Sequence, residues 1–243
     1  MGSFASGDGS PPTCPGLGGP AAYGSYAVVK RFTKLDQALC LQGMRVLDLG
    51  CGNGCYTVEL SRRARWVCGL DIQLTNLRAF QAKMPLVQGA AESLPFAAES
   101  FDAVTIIEVL EHTASDTAVL HECFRVLRAG GVLVLFVPNK LYPFESHPCR
   151  LGRFAIGPNI PFVSWLPSFA HRRISSARIY TLRNITRLAS SCGFGVSRIG
   201  YIFPPLDSFP LPFKDAYRRL AWRLEESPLR VFGVSIFLVL RKP

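Results

Sequence analysis

The chain has 243 residues, 49% of them hydrophobic, and a formal net charge of +10 at pH 7, a size and balance that suit one domain with a full core of its own. The longest uncharged apolar runs, Gly131 to Pro138 and Val231 to Leu240, fall far short of the roughly 20 residues a membrane-spanning helix needs, so no such helix is expected and both runs suit buried strands. The excess positive charge asks for an anionic partner, whether a membrane surface, a nucleic acid or an acidic substrate, and says nothing about fold.

Residues 1–22 are dense in Gly and Pro and nearly free of large apolar side chains, so they cannot bury enough surface to offset the entropy of ordering; a disordered tail is expected there. Its opening Met-Gly-Ser-Phe-Ala-Ser fits the N-myristoylation pattern at Gly2 and Ser6, a pattern short enough to recur by chance. With no basic start and no continuous apolar stretch it does not read as a secretory signal, and a place inside the cell, cytoplasmic or peripheral on a membrane surface, is expected. Cys14, Cys40, Cys51, Cys55, Cys68, Cys123, Cys149 and Cys192 form no C-x-x-C pair and have no histidines at zinc-ligand spacing. They are expected to be reduced thiols used in packing, with no metal.

From Tyr23 the pattern changes. Val28, Phe32, Leu35 and Leu39 recur at helical spacing and predict a helix ending near Gly43. Strand-like segments follow at Arg45–Leu49, 66–70, Leu86–Gln88, 103–107 and 132–137, with helices starting near Asn53, Gln73 and Ser115 between them. Such alternation predicts a parallel, doubly wound sheet. The helix from Ser115 places Val119, Leu120, Cys123, Phe124 and Leu127 inward and is expected to stop at Gly130. From Asn139 to Tyr180 the rhythm breaks into a Pro-, Gly- and aromatic-rich stretch too long for an ordinary connection, read here as an acceptor-site insertion. A helix over 181–192, a strand over 196–202, a helix over Lys214–Glu226 and a last strand over 231–240 complete the domain.

The sharpest feature is Val46-Leu47-Asp48-Leu49-Gly50-Cys51-Gly52-Asn53-Gly54, an apolar strand running into alternating glycines that open a helix, where a ligand can lie against bare backbone. The dinucleotide fingerprint G-x-G-x-x-G would put its third glycine at Cys55, which argues against a nicotinamide or flavin protein. With Asp48 two residues ahead of Gly50, the segment resembles motif I of the class I S-adenosylmethionine-dependent methyltransferases. Asp71, at the tip of the second strand, is placed to accept both ribose hydroxyls, with Ile72 beside it. Gln88-Gly89-Ala90-Ala91-Glu92-Ser93-Leu94-Pro95-Phe96 and Ser100-Phe101-Asp102-Ala103-Val104 resemble the G-D-A-x-x-L-P-F…F-D-x-V block of the quinone-biosynthesis methyltransferases. Arg125 to Leu133 resembles their R-x-L-x-P-G-G block, with Ala129 in the proline position.

The resemblance is to type-11 methyltransferase domains, including enzymes that O-methylate polyprenylated phenols. It implies a Rossmann-like, doubly wound, mostly parallel seven-stranded α/β sheet over 23–243, with the insertion at 139–180 after strand five. It also implies S-adenosyl-L-methionine as cofactor, held by Asp48, Gly50, Cys51, Gly52, Asn53, Gly54, Asp71, Ile72, Ala91, Glu92 and Glu108. In that family the loop after the third strand holds adenine through an acidic side chain and a backbone amide. Ala90 stands where the acid usually does, so the backbone contact falls to Ala91 and the side-chain contact is open unless Glu92 replaces it.

Methyl transfer needs in-line positioning, exclusion of water and removal of an acceptor proton. The candidate bases are His112 at the fourth strand's tip and His147 in Glu145-Ser146-His147, because histidine titrates near neutral pH. The implied reaction is methyl transfer to a small, hydrophobic or amphipathic acceptor such as a phenol or carboxylate. A nucleic-acid amino-methyltransferase would carry Asn or Asp followed by Pro-Pro and an aromatic where this chain has Glu108-Val109-Leu110, so nucleic acid is not the expected partner. A cofactor-binding assembly factor without catalysis is the alternative that the fold alone leaves open. Between Ser146 and Leu206 there is no Asp or Glu, while Arg150, Arg153, Arg172, Arg173, Arg178, Arg183, Arg187 and Arg198 are interleaved with Phe154, Ile156, Ile160, Phe162, Val163, Trp165, Leu166 and Phe169. That mixture suits a segment lying in the headgroups of an anionic membrane.

Overall fold

In the computed structural model the described residues are 25–79, 84–151, 154–175, 177–204 and 213–243. The expected tail over 1–22, the pattern at Gly2 and Ser6, Cys14 and Arg153 lie outside them. Helix α1 (Ser25–Ala38) precedes β1 (Arg45–Leu49), α2 (Cys55–Ser61), β2 (Trp66–Asp71), α3 (Leu74–Ala79), β3 (Leu86–Gln88), β4 (Phe101–Ile107), α4 (Asp116–Val126) and β5 (Leu127–Pro138). The next segment holds two short antiparallel pairs, β6 (Phe144–Glu145) with β9 (Ile160–Pro161) and β7 (Cys149–Leu151) with β8 (Phe154–Ile156), and then α5 (Ser168–Ile174). α6 (Leu182–Ser191), β10 (Gly195–Ile202), α7 (Lys214–Glu226) and β11 (Ser235–Arg241) complete the chain.

The main sheet has seven strands in the order β10-β11-β5-β4-β1-β2-β3. β1 to β5 are mutually parallel and β11 runs against both its neighbours, which is the doubly wound, mostly parallel architecture the strand–helix alternation predicts. Sequence order reverses between β1 and β4, and the crevice outside the carboxyl ends of strands at such a switch point is where these sheets hold ligands.

Both faces of the sheet are covered, and β5 shows it residue by residue. Leu133, Leu135 and Val137 pack on one side with Val119, Leu120 and Cys123 of α4 and Ile185 and Ala189 of α6. Val132, Val134 and Phe136 pack on the other side with Phe32 and Leu35 of α1 and Leu60 of α2. Each such side chain contributes about 1.5–3 kcal/mol by leaving water. The seven described cysteines are free thiols.

Four boundaries differ from the sequence expectation, each for a local reason. α1 stops at Ala38 and the chain turns at Gly43, whose φ is +81°. α2 begins at Cys55 instead of Asn53 because Gly50, Gly52 and Gly54 have φ of +76°, +53° and +87°, which no right-handed helix contains. α4 ends at Val126, not Gly130: Leu127 is already extended and pairs with Phe101, and Gly130 sits within β5, its N–H donating to Lys242 O at 3.0 Å. β11 begins at Ser235 because Pro228–Phe232 forms a 3-10 turn capped by the Ser227 hydroxyl.

Asn139 fastens the insertion to the sheet. Its buried amide donates to Val231 O (2.8 Å) and Gly233 O (2.7 Å), and its Oδ1 accepts from Leu141 N (3.1 Å). Asn139→Ala should therefore lose about 2–4 kcal/mol, because unpaired buried polar groups cost ~1–3 kcal/mol each. Urea titration should show a lower midpoint with an unchanged m value.

Candidate functional site

At the end of β1 the backbone turns through three left-handed glycines. A Cβ on Gly50 would lie 2.3 Å from Val109 Cγ2, so the loops after β1 and β4 touch there and only glycine fits. A Cβ on Gly52 would meet nothing within 4 Å, so its backbone is open to a ligand. Gly52 N donates to Asp71 Oδ2 (2.9 Å), while Asp71 Oδ1 accepts from Gln73 N (2.8 Å) and Asn76 Nδ2 (3.2 Å). An ionised carboxylate has about four lone-pair positions, so Asp71 keeps capacity for a ribose hydroxyl. Ile72, 65% exposed, offers an apolar surface beside it. Open glycine backbone, an aligned carboxylate and an uncovered aliphatic suit the nucleoside of S-adenosylmethionine.

Three of the expected cofactor residues have partners within the protein. Asp48 is buried and accepts from Thr57 Oγ1 (2.6 Å) and Thr105 Oγ1 (2.8 Å), so it braces the turn from inside. Burial pushes its carboxyl up, opposed by those two hydroxyls. Cys51 turns its thiol inward, within 2.9 Å of where a Gly69 Cβ would stand, and leaves only backbone at the turn. Glu92 Oε1 accepts from Ala114 N (2.6 Å) and Ser115 N (3.4 Å) at the start of α4. Asn53 and Gly54 complete the glycine turn, and Ala91 is buried in the loop after β3.

The tip of β4 carries the charge. Glu108 has φ +55°, a left-handed conformation that costs of order 1–3 kcal/mol for a residue with a side chain and gathers at functional sites. Its Oε1 accepts from Arg31 Nη2 of α1 (2.9 Å) and Ser235 Oγ of β11 (2.5 Å). Burial alone would push this carboxyl up, but Arg31 and Ser235 override it and hold Glu108 below its ordinary range. Three residues on, Glu111 is fully buried with no hydrogen-bond donor to either oxygen. Burial first, and then the Glu108 charge, push its carboxyl well up. His112 Nε2 and His147 Nε2 each lie 3.9 Å from Glu111 Oε1, and the two rings meet edge to face at 5.3 Å. Burial, with His147 next, depresses His112 to about 4, leaving it neutral at pH 7.

The insertion supplies the other side. His147 Nδ1 lies 2.8 Å from Glu145 Oε1, and Glu145 Oε2 lies 2.5 Å from His171 Nε2 of α5. Against burial, which raises it, these two imidazoles lower the Glu145 carboxyl to about 2. Both candidate histidines are thus together at the β4 tip, with Glu111, Glu145, Arg31, His171 and Ser235 added by the fold. Of these only Glu145 had a sequence signal, in the triplet Glu145-Ser146-His147. One ligand atom each from Glu111, His112 and His147 lies within 4.8 Å of the others, a gap that one oxygen atom or one cation spans. The expectation of no metal rests on spacing along the chain, which does not reveal groups that only folding unites.

Residues 47–135 match the family model described as a methyltransferase domain. A ubiquinone biosynthesis O-methyltransferase of Cereibacter sphaeroides is 30% identical over 180 residues, 71% of this chain and 69% of its own. One of Pseudomonas fluorescens is 30% identical over 121 residues, 45% of this chain; at 51% of that relative's length, this chain spans about half of it. An S-adenosylmethionine dependent methyltransferase from Mesorhizobium loti superposes with a TM-score of 0.61 at 18% identity, covering 87% of this chain and 97% of its own, a likeness of fold.

Asp71→Ala should weaken binding of the methyl donor well over tenfold in calorimetric titration, because charge-assisted hydrogen bonds contribute about 1.5–3 kcal/mol each. His112 should also make the fold acid-sensitive. Its proton affinity is lower in the folded state (about 4) than in a free, solvated imidazole side chain (6.5), so the unfolded chain binds protons first and stability falls as pH drops through that window. The linkage is at most about 2 kcal/mol between pH 8 and pH 5, and solvent screening of the exposed His112 lowers it further. Denaturant titrations at both pH values should show this loss, reduced by that amount in His112→Gln.

Proposed function

The chain belongs to the S-adenosylmethionine-dependent methyltransferases, and we propose that it methylates a phenolic or carboxylic oxygen of a small amphipathic acceptor, with His147 taking the acceptor's proton. The observation that carries this reading is the meeting at the β4 tip of a buried carboxyl, Glu111, with an imidazole whose Nε2 lies 3.9 Å from it and whose Nδ1 is committed to Glu145. S-adenosylmethionine, when bound, supplies a methyl group electrophilic enough to need no covalent help. What remains for the chain is to hold the donor, seat the acceptor and accept a proton. Residues 50–54 and Asp71 serve the nucleoside, with Ile72 against the base and Glu108 toward the methionine end. Glu111 and His112 line the acceptor's oxygen, and His147 Nε2 receives its proton. The relatives named for ubiquinone biosynthesis support an O-linked, lipid-tailed acceptor.

The insertion favours collection of that acceptor from an anionic membrane. Phe162 (59% exposed), Trp165 (48%) and Phe169 (71%) project outward, with Phe162 and Trp165 5.1 Å apart between ring centres. Arg172 and Arg173 follow Phe169 by three and four residues on α5, hence on one face with it, and Arg150, Arg183 and Arg187 are exposed as well. Arg178 and Arg198 do not add to this surface, since they donate to Leu110 O and Thr113 O (2.8 and 2.7 Å) and to Gln37 O (2.9 Å). Among the described residues no helix is long and apolar enough to cross a membrane, so the mode proposed is interfacial.

With a farnesylated phenol as acceptor, His147→Ala should lower turnover by about 10²-fold while donor affinity stays within a few fold. Failure of the wild-type protein to methylate any phenol or carboxylate offered would remove the reading. In flotation assays the protein should rise with anionic vesicles, less as salt screens the arginines, and less again when Phe162 and Trp165 become alanine. Absence of flotation with anionic vesicles at low salt would refute the membrane part.

A further inference from the structure

We propose that Glu145 is a positioning residue that fixes His147 as the Nδ1–H tautomer, and that His171 locks Glu145 in place from α5. The proposal rests on the reading of His147 as the proton acceptor and names the groups that make it one. Glu145 is nine-tenths or more buried, and each of its oxygens has a histidine partner: Oε1 faces His147 Nδ1 (2.8 Å) and also accepts from His147 N (2.9 Å), and Oε2 faces His171 Nε2 (2.5 Å). A carboxylate only accepts, so both ring nitrogens that face it must carry their protons. For His147 this leaves Nε2 as the lone-pair atom.

That atom points at the acceptor cluster. The groups facing His147 are Glu145 and, through it, His171 from the insertion, Glu111 and His112 from the turn after β4, and Glu108 at the strand tip. His112, pulled down to about 4, is neutral at pH 7, and His147 Nε2 lies 3.9 Å from Glu111 Oε1. As the methyl carbon bonds to the acceptor oxygen, the C–S bond breaks with its electron pair left on sulfur. The acceptor's O–H proton passes to His147 Nε2, and the imidazolium so formed is stabilised by the Glu145 carboxylate on its far side, the division of labour of a carboxylate–histidine pair. His171 belongs to the helix that presents Phe169, Arg172 and Arg173 outward, so the element that positions the base also forms the exposed face.

Long-range proton–nitrogen spectra of histidine-labelled, full-length protein read the tautomer directly and need no acceptor. The wild type should show His147 protonated on Nδ1. In Glu145→Gln, whose amide can also donate, the Nδ1–H form should lose its dominance. Methylation of a farnesylated phenol should fall by about 10²-fold with donor titration unchanged, and His171→Gln should move both readouts the same way by less, serving also as the test should Glu145→Gln not fold. An Nε2–H tautomer in the wild type overturns the proposal, as does an unshifted tautomer in the variants. Turnover of Glu145→Gln within about threefold of wild type, while His147→Ala is slow, overturns it too. If His147→Ala is itself unimpaired, the reading of His147 as base fails first, and the tautomer data separate that case from the others.

Discussion

The contact between Arg31 and Glu108 sets the electrostatics of everything around it. A guanidinium with 1% of its side chain exposed meets a carboxylate with 11% exposed at 2.9 Å, and Ser235 completes the carboxylate's partners. Removing one member of such a pair costs about 3–5 kcal/mol, because the other is left charged and uncompensated. Arg31 holds Glu108 below its ordinary range, and burial together with the Glu108 charge pushes Glu111 well up. The cluster therefore has one carboxyl held low at each end, Glu108 and Glu145, with Glu111 pushed up and His112 pulled down between them.

The same helix makes a second buried ionic contact. Lys30 and Lys34 of α1 reach Glu225 of α7 at 2.6 and 2.9 Å, with the Trp222 ring 4.4 Å from Lys34 Nζ. Burial pulls the Lys30 ammonium below its ordinary range, partly offset by Glu225. Helix α1 thus ties α7 to the tip of β4 with consecutive side chains, Lys30 to one and Arg31 to the other. These contacts consume buried positive charge internally, whereas Arg150, Arg172 and Arg173 of the insertion stay at the surface.

The parts of this arrangement legible in the sequence are those whose cause is local. Leu47 and Leu49 in an apolar run, three alternating glycines and an Asp at the next strand tip announce themselves because strand burial and positive φ depend on a few neighbouring residues. Thr181 and Ser115 were legible as helix starts for the same reason: each hydroxyl accepts from an N–H three residues on. The misreadings arise where a distant partner decides. Gly130 looks like a helix terminator, yet pairing of Leu127 with Phe101 draws the chain into the sheet first. Likewise, nothing along the chain says that Asp48 will accept from Thr105 or Glu92 from the Ala114 N–H. Glu145 and His171 are 26 residues apart and meet only because β6 pairs with β9 and the chain doubles back.

That doubling back brings two parts of the chain together. The tips of β1, β2 and β4 carry the glycine turn, Asp71 and Glu108, and residues 139–180 carry His147 and an outward apolar, cationic face. Asn139 joins the two at one end of the insertion, and Arg178 joins them at the other through three carbonyl contacts to the turn that carries Glu111 and His112: Leu110 O, Thr113 O and, from its own N–H, Glu111 O at 3.1 Å. Both fastenings lie at the borders of residues 139–180, Asn139 on the residues just before β11 and Arg178 on the turn after β4. The family model matches residues 47–135, so the family pattern covers the sheet tips and not the insertion that packs against them.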